Sequence, residues 1–318
     1  MSEIVIQNSE LLVLALVLII EWLIPTSPTY SPSAFFKPLA DGFGKKLVKK
    51  QSARQLMLSG WLALICYLAL ILIILWAVLF ITPNDVWIQG LLLYFSLGYQ
   101  FTAKQMSSIQ AAVKHQQKST ARSLLSKHTE FDTQKLSPLG INKLSLEIIT
   151  NKFVSEWLTP VVLFCLAGGI TSITYRALLE AYKAWMPQKI NYQQFGVAVT
   201  VMKNLIELLP TWLIAPIYSV FKSSPGWLTM ALSAKNSWRA AKASSLNQLI
   251  WLSVVSAGCK SELAGPLMIN NKKLTRPRLN QGLPINETAI GQLLAWNNRF
   301  RLVVISFISL LFILLGMK

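Results

Sequence analysis

Residues 56–81 read LMLSGWLALICYLALILIILWAVLFI, a run without one charged side chain. About 20 apolar residues suffice for a helix to cross the hydrocarbon layer of a bilayer, so this stretch predicts a transmembrane helix. The rest of the chain agrees with it. Of 318 residues, 53% are hydrophobic and 14% charged, too little polar surface to coat a soluble globule of that length.

Further apolar runs lie on either side, at 11–24, 86–101 and 302–317. Pro83 and Asn84, in the turn Thr82-Pro83-Asn84-Asp85, join the second and third spans as a helical hairpin. Two more runs stay open. Residues 157–174 contain Pro160 and Gly168-Gly169 and fit a broken span, a re-entrant hairpin or a buried helix. Residues 205–221 are interrupted by Glu207, Pro210 and Pro216. The expected fold is therefore all-α: one polytopic membrane domain of about four to six embedded helices, with amphipathic helices outside the bilayer.

The 30 Lys and Arg outnumber the 13 Asp and Glu, and they concentrate in the loops 25–55, 102–156 and 222–301. Basic loops stay cytoplasmic and favour anionic headgroups, so lipid is the expected partner and nucleic acid is not. The N-terminus, with Glu3 and Glu10 before any basic residue, is then periplasmic, in a bacterial inner membrane. Met106, Ile109 and Val113 recur at helical spacing and predict an amphipathic helix after the third span. Residues 227–255 predict one or two more, and 258–284 a loop rich in Gly, Pro and Asn.

Chemistry-bearing patterns are sparse. Cys66 and Cys165 lie in apolar runs and Cys259 stands apart, which gives neither a disulfide framework nor a zinc spacing. His115 and His128 lie in a basic polar stretch, and no phosphate-binding glycine loop is present. Three ionisable side chains fall in or beside apolar runs. Glu21, four residues before Pro25, reads as a carboxylate reaching the headgroups or a protein cavity. Lys203 and Glu207, one helical turn apart, read as an intrahelical pair or as groups facing a cavity.

Ordered pieces of the chain resemble the CobD/CbiB family of cobalamin biosynthesis. Ala121-Arg122 through Asp132-Thr133 is similar to a family stretch ending Gly-Arg-Asp-Thr, and Glu147 matches the first Glu of Val-Glu-Ser-x-Ala-Glu-Asn. Thr159-Pro160, Tyr175-Arg176-Ala177, Phe195-Gly196 and Leu209-Pro210-Thr211-Trp212-Leu213 follow in family order. So do Ala257-Gly258, Leu263-Ala264-Gly265-Pro266 and Pro277.

The resemblance implies a membrane enzyme that uses ATP and magnesium to join a corrinoid carboxylate to aminopropanol or its phosphate. Retained family positions are Asp132, Thr133 and Glu147. Elsewhere the family's acids and amides are lost: Ala-Glu-Asn becomes Thr150-Asn151-Lys152, and its following Asp becomes Ser155. An Asn and an Asp become Leu179 and Tyr182, and an Asp-Asp pair becomes Lys203-Asn204. The Arg before Asp132 is Phe131, and Ser-Pro-Asn survives as Ser245-Leu246-Asn247. A lysine at a metal site repels the ion as well as removing a ligand. Glu156, Glu180 and Glu207 lie near the lost acids and are candidates for a relocated site. The same pattern resembles AmpE-type membrane regulators, for which a protein partner replaces the corrinoid. A small transporter using Lys203 and Glu207 is a third reading.

Overall fold

The computed structural model describes residues 2–27, 31–48, 52–81, 86–187, 189, 192–220, 245–269, 272–280 and 288–316. In chain order the helices are α1 (Ser2–Leu23), α2 (Phe36–Leu47), α3 (Ala53–Ile81), α4 (Val86–Ser96), α5 (Tyr99–Lys114), α6 (Lys118–Ser126) and α7 (Pro138–Phe153). They continue as α8 (Thr159–Ala184), α9 (Val197–Val220), α10 (Leu246–Cys259) and α11 (Ala289–Gly316). Among the described residues, four helical stretches are long and apolar enough to cross a membrane: Ala53–Phe80, Pro138–Ala184, Val197–Val220 and Ala289–Leu314. This is a largely helical, polytopic membrane fold.

By its contacts the chain divides into two compact units. The first comprises residues 1–100, 155–206 and 303–318, and the second residues 101–154 and 207–302.

In the first unit α3 turns Leu58, Leu62, Ile65 and Ile73 outward, while Leu64, Tyr67 and Ile71 are buried. That leaves one apolar face for lipid and one for protein. The protein face meets an aromatic cluster in which Trp185 packs edge-on against Tyr67 and Phe195. The polar tips of these rings are satisfied. Trp185 Nε1 donates to the Ala40 carbonyl at 2.8 Å, and the Tyr67 hydroxyl lies 3.2 Å from the Phe36 carbonyl and 3.1 Å from that of Ala177. α2 is thereby fastened to the end of α8. The Tyr192 hydroxyl, outside the spans, has its pKa raised by burial and then by the Asp41 carboxylate.

The run at 157–174, which the sequence leaves open, folds back on itself. Ala167 leaves the helical region and Gly168 has φ +79°, a conformation glycine adopts without steric cost. Ser172 Oγ then donates to the Pro160 carbonyl at 2.9 Å, and Thr171 Oγ1 to the Leu163 carbonyl at 3.1 Å. In an unbroken helix residues 160 and 172 would lie about 18 Å apart. α8 is thus a hairpin of two helical legs, although its length and composition alone fit a straight span. A π-helical turn, Val154–Leu158, precedes it.

Residues 86–101 are divided too. α4 ends at Ser96, and α5 begins at Tyr99. Glu21 is fully buried, and its Oε1 accepts from the Gln100 backbone N–H at 3.1 Å. It therefore caps the first turn of α5, where a carboxylate complements the exposed N–H groups and the helix dipole.

In the second unit α10 is buried on nearly every side, as expected of a helix apolar all round. Trp251 Nε1 on α10 donates to Thr211 Oγ1 at 3.1 Å. Tyr218 packs edge-on against Trp251, Trp296 and Phe300. The amphipathic helix expected around Met106, Ile109 and Val113 is present in α5, with Met106 and Ile109 fully buried. Within the expected loop 258–284 lie two short antiparallel ladders instead. β1 (Leu263–Ala264) pairs with β4 (Arg278–Leu279), and β2 (Leu267–Ile269) with β3 (Lys272–Leu274). Of the helices expected over 227–255, the part at 227–244 lies outside the described residues.

Candidate functional site

Two charged constellations stand out, one in each unit. That of the second unit collects most of the retained family pieces. Ser137 caps α7 by accepting from the Gly140 N–H, and α7 carries Glu147, 3% exposed. Arg276, beside Pro277, brings Nη2 to 2.9 Å from Glu147 Oε2. Its N–H is not aligned on that oxygen, so the contact is one of charge. Arg276 Nε donates to the Gly265 carbonyl at 3.0 Å, and the guanidinium lies 5.8 Å from the centre of the Phe131 ring.

Gly265 has φ +101°, a backbone conformation that other residues rarely adopt. A side chain there would also meet Arg278 and, at 3.4 Å, Lys143 Nζ. Lys143 Nζ donates to Glu262 Oε1 at 2.8 Å, with Arg278 Nη1 4.0 Å from the same oxygen. Asp132 joins this region through its backbone N–H, which donates to the Met268 carbonyl at 2.9 Å. Thr133 Oγ1 donates to the Arg122 carbonyl at 3.2 Å, and Arg122 grips the Leu136 carbonyl through Nε and Nη2. Glu207, 2% exposed, belongs to the same unit, and its backbone carbonyl accepts from Thr211 Oγ1.

The constellation of the first unit forms where the two legs of α8 begin and end. Arg176 places Nη2 3.2 Å from Glu180 and Nη1 3.8 Å from Glu156. Lys183 Nζ donates to Glu180 at 2.8 Å and to Glu156 at 3.2 Å. Glycine at position 98 makes room for Arg176, because a Cβ there would fall 2.8 Å from Nη1. The Gly98 N–H meanwhile donates to the Glu156 carbonyl. Two buried acids and two cations balance, which limits the cost of burying each charge. Lys203, 5% exposed, stands with Nζ 5.1 Å from the centre of the Tyr182 ring.

The structure therefore places Glu156 with Glu180, and Glu147 with Phe131 through Arg276. Residues not singled out from the sequence are Arg276, Lys143, Glu262, Arg278 and Lys183. In the sequence Arg176 stands out only within Tyr175-Arg176-Ala177. Its spacing to Glu180, four residues, and the Glu180–Lys183 spacing, three, are sequence signals for helical ion pairs.

Magnesium demands several oxygen donors in near-octahedral array. Glu147, Glu156, Glu180 and Glu262 are each engaged by arginine or lysine. Among the described residues no three His, Cys, Asp or Glu side chains converge. These donors do not fit the ion that the resemblance implies.

Over 202 residues the chain is 23% identical to the cobalamin biosynthesis protein CobD of Streptococcus sanguinis (strain SK36), covering 62% of this chain and 61% of that protein. The chain thus spans less than two thirds of that curated relative's length. No solved structure matches it. The model of the family described as CobD/Cbib protein matches residues 13–296, nearly the whole chain, and the chain belongs to that family.

Proposed function

We propose that this CobD/CbiB-family protein acts as a non-catalytic regulator or scaffold in the bacterial inner membrane. Its N-terminus is periplasmic, and its basic loops face the cytoplasm and a protein partner. The observation that supports this reading is the Arg276–Glu147 contact. Glu147 is a retained family acid, and here a buried guanidinium neutralises it. A carboxylate so held is a poor ligand for a second cation, since the ion must displace or repel the arginine. The basic and neutral replacements Lys152, Ser155, Lys203 and Asn204 point the same way.

The competing reading is adenosylcobinamide-phosphate synthesis, the ATP-dependent amide bond between a corrinoid carboxylate and aminopropanol or its phosphate. The name of the Streptococcus sanguinis relative favours it. Complementation separates the two. In a strain lacking the synthase, the full-length protein is expected to reach the membrane without restoring cobalamin-dependent growth. Restored growth that is lost on Asp132→Ala or Glu147→Ala would overturn the regulatory reading. The expected positive result is a specific membrane or cytoplasmic partner recovered by crosslinking, with corrinoid pools unchanged on deletion.

A further inference from the structure

We propose that residues 156–184 form a re-entrant hairpin that enters and leaves the bilayer on the face of the basic helix α2, with Glu156, Arg176, Glu180 and Lys183 closing its mouth. This goes beyond the regulatory reading and holds whether or not the protein is an enzyme.

The contacts that define the hairpin all lie within the first unit. Both ends of the hairpin meet at one level, because Lys183 Nζ reaches Glu156 and Glu180 together. The tip lies at the other end of α4. Gln89, near the start of α4, gives its Oε1 to the Gly169 N–H at 2.7 Å, whereas Gly98, just beyond the end of α4, meets Glu156 and Arg176. α4 and the hairpin therefore share an axis, with tip by Gln89 and mouth by Gly98.

Length argues in the same direction. From Glu156 to Ala167 the chain rises about 16 Å as helix, half of the roughly 30 Å hydrocarbon layer. A leg that short does not cross the layer by itself and has to return. Irregular backbone is tolerated inside the layer only where protein satisfies its polar groups. Gln89, Ser172 and Thr171 do so for Gly169, Pro160 and Leu163.

Sidedness follows from α2. Lys37, Lys45 and Lys46 lie on this helix, and Trp185 at the hairpin exit donates to Ala40. The positive-inside rule assigns such a helix to the cytoplasm, and it takes the mouth with it. A mouth of two acids and two cations is charge-balanced, as the edge of the hydrocarbon layer requires.

The test is cysteine accessibility in the full-length chain in cell membranes, using a membrane-impermeant maleimide on intact cells and on inside-out vesicles. In a background of Cys66→Ser, Cys165→Ser and Cys259→Ser, single substitutions Lys46→Cys, Lys152→Cys and Lys189→Cys are expected to label only in inside-out vesicles. With Cys165 as the single cysteine, labelling by the impermeant reagent should be absent from both sides and appear only after denaturation in detergent. Labelling of positions 152 and 189 from opposite faces, or of Cys165 from the periplasmic face, would overturn the proposal. If the cysteine-free chain does not accumulate, a short epitope inserted after Lys189 in the native chain gives the same readout by protease protection. Cleavage of that epitope in intact spheroplasts likewise rejects the re-entrant arrangement.

Discussion

Ser172 Oγ donates to the carbonyl of Pro160 at 2.9 Å. The carbonyl of Gly168 accepts from Thr171 Oγ1 at 2.8 Å in the same reversal. The first of these bonds exists only because the backbone turns at Ala167 and Gly168, and the turn leaves little space beside it. A Cβ at Gly169 would fall 2.3 Å from the Gln89 carbonyl oxygen, a distance that real side chains do not reach. Gly169→Ala is therefore expected to push α4 and the hairpin apart at a cost of about 1–3 kcal/mol, as overpacking does. Thermal unfolding of the detergent-purified protein checks this. A transition unchanged from wild type would mean that the two backbones are not in this contact.

Gln89 supplies the second constraint on the tip. Replacing it by Leu keeps the bulk but leaves the Gly169 N–H without its acceptor. A buried donor left unsatisfied costs about 1–3 kcal/mol. Gln89→Glu, which keeps an acceptor at that position, introduces a charge beside an apolar hairpin and is expected to unfold at lower temperature than wild type at neutral pH.

The charges at the mouth differ in exposure, and the difference makes a prediction. Arg176 is almost wholly buried, whereas the Lys183 side chain is 32% exposed. Arg176→Ala leaves Glu156 and Glu180 buried with one cation and is expected to destabilise by about 3–5 kcal/mol. Lys183→Ala removes a solvent-screened partner and is expected to cost less than about 1 kcal/mol. Arg176→Lys keeps the charge but loses the planar fork that turns Nη2 to Glu180 and Nη1 to Glu156, and is expected to restore stability only in part. Comparison of the three transitions in one detergent decides the ranking, and equal losses for Arg176→Ala and Lys183→Ala would contradict it.

The parts of this fold legible in the sequence are those whose signal is local. α3 is visible because an uncharged run of that length has few places to go outside a bilayer. The Arg176–Glu180 spacing lies on one helix face. The hairpin is less legible. Pro160 and Gly168-Gly169 announce an interruption, but whether the chain kinks or reverses depends on Gln89, Ser172 and the positive φ of Gly168. The expected loop at 258–284 hid two ladders, because strands of two or three residues are too short to show alternation. Arg276 escaped notice for a similar reason. Next to Pro277 it reads as an ordinary loop residue, and its partner Glu147 is remote in sequence. Glu180 is held by Arg176 and Lys183 on its own helical leg, a spacing the sequence shows, whereas the ion pairs that hold Glu156 reach across the hairpin.

The Arg276–Glu147 contact yields the last prediction. Both side chains are more than nine-tenths buried, so removing either one alone leaves a charge in the interior of the second unit. Arg276→Ala is expected to cost about 3–5 kcal/mol, the usual loss when a buried pair is broken from one side. Glu147→Gln should cost less, because the amide keeps the shape and still offers an oxygen to the guanidinium. The double variant, with Arg276→Ala and Glu147→Gln, has no buried charge at this position and is expected to be more stable than Arg276→Ala alone. The shortfall from additivity reports the coupling, about 0.5–3 kcal/mol for residues in contact. Limited proteolysis of the membrane-embedded protein, which follows opening of the second unit without requiring complete unfolding, is the suitable measurement. If Arg276→Ala resists protease as well as wild type does, Glu147 is not held by that arginine, and the main support for a non-catalytic role is lost with it.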